Sequence, residues 1–347
     1  MPSSKGDAII STFSRYINEQ TLYEAYRQVS KGKKRGKRDA VIFHRYDMLL
    51  LEKLLKDLET RAYVPGEYNS FWVYEPKKRL INAPPFRDKI VQCVLHEALS
   101  DIYKDVYIKH SYACLTGRGQ HRCAKQIQHN MRVCKRNYDD PWIVRIDVAK
   151  YFYSIDRDIL KSLLRKQIKD PDLLWLCDIV IDSSPEGEKG IPLGNVSSQD
   201  FAHVYLNELD QFAVRYKGFK YYTRFNDDIC IVVANREVAK GALEEAQYFL
   251  RDRLHLDTNK KAHILPLAQG MNSCGFKIHP THMLLRDRSK NGMRRRLKAI
   301  NRKVELGEIS IKKARQEISC WEGHAKHAST FRLRQRLFEP YEFLKEV

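Results

Sequence analysis

Two adjacent aspartates between strand-like segments are the residues of this sequence best placed to do chemistry. Asp227 and Asp228 follow residues 220–224, with Phe225 and Asn226 between, and precede the apolar run 229–233. Such flanks predict a strand, a tight turn and a second strand. Like charges this close resist joint ionisation unless a cation is near. A divalent metal such as Mg²⁺ would supply that charge.

A second Asp-Asp pair shows how much the setting matters. Roughly one such pair is expected by chance in a chain of this length. Asp139-Asp140 lies between Tyr138 and Pro141, and this surrounding predicts a solvated turn. An Asp-Asp pair alone is therefore weak evidence of function, and the functional interpretation depends on other residues that precede Asp227-Asp228 in the sequence.

A third acid, Asp147, ends the strand-like run 142–146. An aspartate there is often only the cap of the next helix. The alternative is a metal ligand, because Phe152 follows five residues later. A ring there would lie beneath the sugar of a nucleotide and exclude a 2′-hydroxyl, unless residues 151–153 simply pack in the core.

A glycine-bearing loop, residues 190–199, separates these acids. Gly190 and Gly194 permit a close backbone approach to a ligand such as a template–nucleotide pair. We expect Ser197 or Ser198 to cap the helix that follows. In this order, the three aspartates predict two Mg²⁺ ions that activate a hydroxyl for attack on a nucleotide α-phosphate.

The bulk composition limits the class of protein and its partners. The chain has 347 residues, 43% of them hydrophobic and 30% charged, with a net charge of +19. This composition fits a globular protein, and the charge favours a polyanionic partner. Residues 286–347 hold 17 Lys and Arg against 8 Asp and Glu. The basic run 31–38 is either a nucleic-acid contact or a solvated loop or localisation signal.

Periodicity predicts the elements that must position these residues. We expect a helix from about Phe86 to Tyr103, a basic helix ending near Arg136, and a buried strand over 142–148. A hairpin at the paired aspartates and a strand pair over 262–285 follow, then C-terminal helices. This order predicts an α+β fold with an antiparallel sheet. No apolar run is long enough to span a bilayer, so we expect no membrane partner.

The sequence resembles reverse transcriptases, and more narrowly those of diversity-generating retroelements. The resemblance covers nearly the whole chain, in segments 22–27, 73–81, 111–119, 145–156, 193–199 and 321–328. The narrower assignment rests on Leu193-Gly194 and Ser198-Gln199, where most reverse transcriptases carry Gln-Gly and Ser-Pro. It implies copying of a template-repeat RNA with errors opposite adenine. Leu193 in place of an amide removes a directional hydrogen bond, and such pockets discriminate poorly.

The resemblance also assigns roles to individual residues. Asp147, Asp227 and Asp228 are implied as catalytic metal ligands, together with the Val148 carbonyl, and Lys261, with Lys260 as a rival, as a general acid. The implied dNTP-binding residues are Lys77 (or Lys78), Arg79, Phe152, Leu193 and Gly194. The implied template and primer contacts are Gly117, Arg118, Ser198, Gln199, Gly275, Phe276, Arg295 and His324. Asn226 departs from the usual Ala, Met or Val, but asparagine tolerates tight turns.

The implied architecture is a right-hand polymerase. It has N-terminal helices and fingers (1–140), a palm (141–285) with a helical insertion near 157–189, and a short helical thumb (286–347). Partners implied are an RNA template, a DNA or RNA primer, dNTPs, a small basic oligomeric accessory protein and a structured template-repeat RNA. We expect no nuclease or maturase appendage, and a cytoplasmic location in a bacterial or phage-infected cell. The alternatives are a reverse transcriptase of retron or group II intron type, and an inactive RNA-binding scaffold.

Overall fold

A computed structural model describes residues 11–31, 38–74, 78–260 and 262–344 of the protein. Lys77, Lys261 and most of the basic run 31–38 lie outside these residues, so their predicted roles stay predictions. Within the described ranges, no helix has both the length and the apolar character needed to cross a bilayer.

The described strands are short and all pair in antiparallel fashion. They are β1 (Asn69–Val73), β2 (Arg79–Ala83), β3 (Trp142–Asp147), β4 (Tyr222–Phe225), β5 (Asp228–Val233), β6 (His263–Pro266), β7 (Met271–Ser273), β8 (Phe276–Ile278) and β9 (Met283–Leu285). They form three sheets, in the orders β1-β2, β4-β5-β3-β6 and β7-β8-β9.

The described α-helices supply most of the remaining structure. They are α1 (Thr12–Tyr16), α2 (Glu19–Ser30), α3 (Arg38–Arg45), α4 (Asp47–Glu59), α5 (Phe86–Tyr103), α6 (Gln120–Asn137), α7 (Tyr151–Ser154), α8 (Arg157–Gln167), α9 (Pro171–Asp182), α10 (Val196–Gln211), α11 (Arg236–Leu254), α12 (Asp287–Glu305), α13 (Ile311–Ala325) and α14 (Phe331–Phe338). The predicted α+β class with an antiparallel sheet is confirmed.

The chain forms two compact units, each assembled from three separate stretches. Unit 1 comprises Met1–Lys109, Val148–Phe212 and Tyr248–Asp257, and unit 2 comprises His110–Asp147, Ala213–Gln247 and Thr258–Val347. Both units therefore depend on contacts between residues far apart in sequence.

Unit 1 is built around α5, which packs against α2 and α10. The helix begins directly after Pro85, because proline fixes the backbone just before a first turn and donates no hydrogen bond. It is buried on several faces, with Ile90, Val94 and Leu95 in the core. The β1–β2 hairpin belongs to the same unit.

Unit 2 is built around the four-stranded sheet. β3 and β5 are its central strands, and their residues Ile143, Cys230 and Val232 pack in one apolar core with α6 and with the β7-β8-β9 sheet. A smaller apolar cluster, which includes Leu297 and Ile318, joins α12 and α13. Burial of these side chains is the main stabilising contribution in the unit.

Two sequence-based expectations are wrong. Residues 262–285 form four strands rather than one pair, since the chain turns at Gly270, whose φ of 62° is the left-handed region that glycine adopts most easily. β6 joins the sheet of β3, and the other three strands form their own sheet. Ser197 and Ser198 also do not cap α10. The helix begins earlier, at Val196, with Asn195 in the capping position.

Candidate active site

The paired aspartates sit where the sequence predicted, at the turn between β4 and β5. Asn226, in the turn, has a φ of 52°, the left-handed conformation that asparagine tolerates. The turn leaves Asp227 half-buried and Asp228 as the first residue of β5. The other pair, Asp139-Asp140, is exposed in a bend just before β3, which agrees with the prediction of a solvated connection there.

The register of the sheet brings Asp147 and Asp228 together. Asp147, the last residue of β3, lies directly opposite Asp228 across an antiparallel pair. Side chains of directly opposite residues project from the same face of a sheet. Two carboxylates distant in sequence thus lie side by side, next to the turn that carries Asp227.

Two residues that the sequence analysis did not select hold the Asp228 carboxylate. The Arg145 guanidinium donates from Nε to Oδ1 of Asp228 at 3.3 Å, and the Ser273 hydroxyl donates to Oδ2 at 2.8 Å. Burial raises the pKa of Asp228, and the nearby charge of Arg145 only partly offsets this. Side chains two residues apart in a strand lie on the same face, so the sequence could have predicted Arg145 beside Asp147. Nothing in the local sequence marks Ser273.

Asn259 holds the other carboxylate. Its side-chain amide donates to Oδ2 of Asp147, and its backbone N–H donates to the Asp147 carbonyl oxygen at 2.8 Å. Both bonds fix the end of β3 against the segment that follows α11. Asn259 was not among the predicted site residues, because only the fold brings residue 259 to residue 147.

The donor set fits a hard divalent cation. Mg²⁺ is commonly held by one or two carboxylates and completes its octahedron with water and substrate phosphates. Asp147 and Asp228 supply that minimum. Each ionised carboxylate has more lone pairs than the hydrogen bonds described above occupy. Among the described residues, no cluster of three or more His, Cys, Asp and Glu side chains forms a metal site by itself.

The residues predicted to bind a nucleotide gather in unit 1. The Leu193 carbonyl accepts a hydrogen bond from the backbone N–H of Asn82 at 2.9 Å, which ties the 190–199 loop to β2. The Phe152 carbonyl accepts from Ile191 at 2.8 Å. Gly194 lies so close to β2 that an added Cβ would stand 2.9 Å from the Ile81 side chain. Arg79 begins the same strand, and Phe152 is half-buried rather than core.

The residues predicted to contact template and primer differ in the solvent exposure of their side chains. Gln199 and Arg295 are exposed, whereas Ser198 is buried. The Arg118 guanidinium donates to the Ser111 carbonyl at 2.7 Å and so supports its own loop, next to Gly117. Phe276 is 0% exposed, so a primer contact there would have to come from backbone atoms.

His324 belongs to a histidine cluster within unit 2. Its ring stacks on Phe276 with centroids 4.3 Å apart, and it lies against Gly275. His324 Nδ1 and His121 Nε2 share a hydrogen bond of 3.0 Å, and the His121 ring stacks on His327 at 3.8 Å. The cluster fastens the start of α6 to the end of α13.

The cluster predicts loss of stability in acid. Burial lowers the pKa of His121 and of His324 below the ordinary 6.5. As pH falls below 6.5, the unfolded chain takes up protons that the folded cluster resists, so the free energy of unfolding should decrease. His121→Asn should weaken this dependence in urea titrations between pH 7.5 and 5.5. His129→Asn, an exposed position on the same helix, should not, and equal slopes for both variants would contradict the interpretation.

Comparison with known proteins identifies the family. The family model described as reverse transcriptase (RNA-dependent DNA polymerase) matches residues 74–279, more than half of the chain. This range contains all three aspartates, the 190–199 loop and Arg79.

Individual relatives are distant and differ in how much of them the chain matches. Protein YkfC of Escherichia coli is 26% identical over 63% of this chain and 68% of its own length. The group II intron-encoded protein LtrA of Lactococcus lactis is 25% identical over 48% of this chain, but the match spans only 28% of LtrA. Apo telomerase from Candida tropicalis is similar at a TM-score of 0.49 and 9% identity, over 67% of this chain and 52% of that one.

The family match confirms the predicted fold class and enzyme class. The finer boundaries of fingers, palm and thumb, at 1–140, 141–285 and 286–347, stay predictions. The sheet that carries two opposed carboxylates and the matched range 74–279 lead to one conclusion, that this chain belongs to the reverse transcriptase (RNA-dependent DNA polymerase) family.

Proposed function

We propose that this protein extends a DNA or RNA primer with dNTPs on an RNA template. The observation that carries the proposal is the register of β3 and β5, which sets Asp147 opposite Asp228 beside Asp227 in a chain of this family. Mg²⁺, when bound, would activate the primer hydroxyl and neutralise charge on the transferred phosphate. We place the reaction in the cytoplasm of a bacterial or phage-infected cell.

The residues of the chain would then have distinct tasks. Arg145 and Ser273 orient Asp228, and Asn259 orients Asp147, so that both carboxylates keep fixed positions during nucleotidyl transfer. Arg79 supplies positive charge for a triphosphate, and the half-buried ring of Phe152 would exclude a ribose 2′-hydroxyl. Lys77 and Lys261 keep their predicted roles in triphosphate binding and leaving-group protonation.

We further propose that the template is a structured template-repeat RNA and that synthesis errs opposite adenine. Support comes from the loop Leu193–Gln199, with an apolar side chain where an amide is usual. A small basic oligomeric accessory protein would assist. A second candidate, a group II intron-type enzyme, is favoured by the similarity to LtrA.

The fidelity of cDNA synthesis separates the two candidates. On a defined RNA template, sequenced cDNA from the wild type should carry an excess of errors at adenines. Leu193→Gln should lower adenine errors roughly 3- to 10-fold, because a restored hydrogen bond penalises wrong pairs. Leu193→Met, which keeps an apolar side chain of similar volume, should leave them unchanged. Equal error rates at all four template bases would remove the retroelement proposal and leave the polymerase intact.

A further inference from the structure

One face of the β1–β2 hairpin carries exposed aromatic rings and a cation. Trp72 is 51% and Tyr74 67% exposed. The ammonium of Lys78 lies 4.5 Å from the ring centroid of Trp72 and 5.9 Å from that of Tyr74. We call Trp72, Tyr74 and Lys78 the aromatic face.

This face is not the one that carries Arg79. Trp72 lies opposite Leu80 in the ladder, whereas Val73 lies opposite Arg79. Successive residues of a strand point to opposite sides. Ile81, two residues after Arg79, is the side chain that Gly194 approaches. The side of the hairpin with Arg79 is therefore directed at the 190–199 loop, and the aromatic face lies on the opposite side of the hairpin.

Hydrogen bonds at the base of the hairpin, near the end of β2, keep it in place. At the base, the Asn82 amide donates to Glu186 at 2.7 Å, and its backbone N–H donates to Leu193. Ser70 of β1 donates to the Asn82 side chain at 2.7 Å. These bonds hold the base, so the rings farther along project from a fixed support.

The chemistry of the face selects its ligand. A tryptophan and a tyrosine in water gain free energy by covering flat apolar surface, and a lysine above them favours an anion. A nucleobase joined to a phosphate offers both features at once. Stacking requires that the base be unpaired, because a duplex hides the faces of its bases. The carboxylates of an acidic peptide would pair with Lys78, but they would not cover the exposed rings of Trp72 and Tyr74.

We propose that the aromatic face binds unpaired nucleotides of single-stranded RNA, with a base stacked on Trp72. The inference rests on the proposed function, in which an RNA strand must reach the site unpaired before it is copied. It adds a binding surface on the side of the hairpin opposite Arg79.

Binding of fluorescein-labelled RNA to the full chain tests the proposal. Trp72→Ala should weaken binding of an unpaired RNA roughly 5- to 100-fold, the range for one lost base stack. It should leave binding of a blunt RNA duplex of equal length unchanged. Trp72→Phe should retain most of the affinity. Lys78→Gln should lower the slope of log affinity against log salt by about one, whereas Trp72→Ala should not.

Two controls keep the result interpretable. Tyr248→Ala removes a ring that is 68% exposed on α11, and it should bind both RNAs like the wild type. If Trp72→Ala lowers the melting temperature, a fluorescence measurement replaces it. The emission of Trp72 is the emission of the wild type minus that of Trp72→Phe. Unpaired RNA should quench this emission, and the duplex should not. Unchanged binding by Trp72→Ala, equal losses on both RNAs, or no selective quenching would overturn the proposal.

Primer extension separates this inference from the proposed function. Selective binding through Trp72 in a protein that incorporates no dNTP would support the surface and contradict the polymerase. Normal dNTP incorporation by a protein whose RNA binding is unchanged by Trp72→Ala would support the polymerase and contradict the surface.

Discussion

Replacing Asp228 with asparagine is expected to abolish nucleotide incorporation while stabilising the protein in the absence of metal. Incorporation should fall by about 10³-fold or more, because the proposed site loses a carboxylate ligand of the Mg²⁺ that would neutralise the reacting phosphate. The stability gain follows from burial, which raises the pKa of Asp228 and so disfavours its ionised form in the folded state. An amide of the same shape has no charge to desolvate.

The effect of Asp228→Asn on stability should depend on pH. A raised pKa means that the unfolded chain ionises first as pH rises above the ordinary 3.8, so Asp228 lowers the stability of the wild type above that pH. The melting temperature of Asp228→Asn should therefore exceed that of the wild type at pH 7 without metal, and the two should converge near pH 3.5. Mg²⁺ should raise the wild-type value more than that of the variant.

The second Asp-Asp pair supplies a matched control. Asp140→Asn changes the same group in an exposed bend, where Asp140 accepts a hydrogen bond from the Trp142 indole at 2.9 Å. It should keep wild-type incorporation in a single-nucleotide primer-extension assay. Incorporation by Asp228→Asn above a tenth of the wild-type rate would show that the site is elsewhere.

Gly194→Ala is expected to impair nucleotide use strongly. Gly194 has a φ of 116°, and an added Cβ would lie 2.9 Å from Ile81 Cγ2 and 3.1 Å from the Asn82 carbonyl oxygen. The strained backbone costs about 1–3 kcal/mol, and relief would push the loop away from β2. Since a shift of about 1 Å can reduce rates about 100-fold, kcat/KM for dNTP should fall roughly 10- to 100-fold.

Gly187→Ala is the matched control for this change. Gly187 lies just before the same loop, and a Cβ there would meet nothing within 4 Å. Its kcat/KM for dNTP and its melting temperature should equal those of the wild type. If both alanine variants incorporate a single dNTP with wild-type kcat/KM, the contact of Gly194 with β2 does not position the nucleotide.

Local sequence predicted several of the elements and singled out the two carboxylates that meet. α5 begins and ends at Phe86 and Tyr103 as expected, because a proline pair marks its start. Asp147 ends one apolar run and Asp228 begins another, and a short apolar run is typical of a strand buried on both faces. Their direct opposition follows from sheet register, which a single sequence does not specify.

The supporting residues could not be predicted, since they depend on contacts between distant segments. Ser273 reaches Asp228, Asn259 reaches Asp147, and Asn82 reaches Leu193, each only after folding. The single strand pair expected over 262–285 failed for a related reason. An apolar stretch shows that strands exist, but which sheet each strand joins is decided by partners elsewhere in the chain.

The order of the strands in the central sheet has a consequence for biosynthesis. β3, at residues 142–147, has as its partners β5 and β6, which end at residues 233 and 266. On the ribosome, β3 therefore emerges long before either neighbouring strand, and both of its hydrogen-bonding edges stay unpaired in the meantime. Such delayed pairing is slow and prone to aggregation. Nascent chains halted before residue 228 should depend on chaperones, and the carboxylates of Asp147 and Asp228 can come into register only once β5 has emerged.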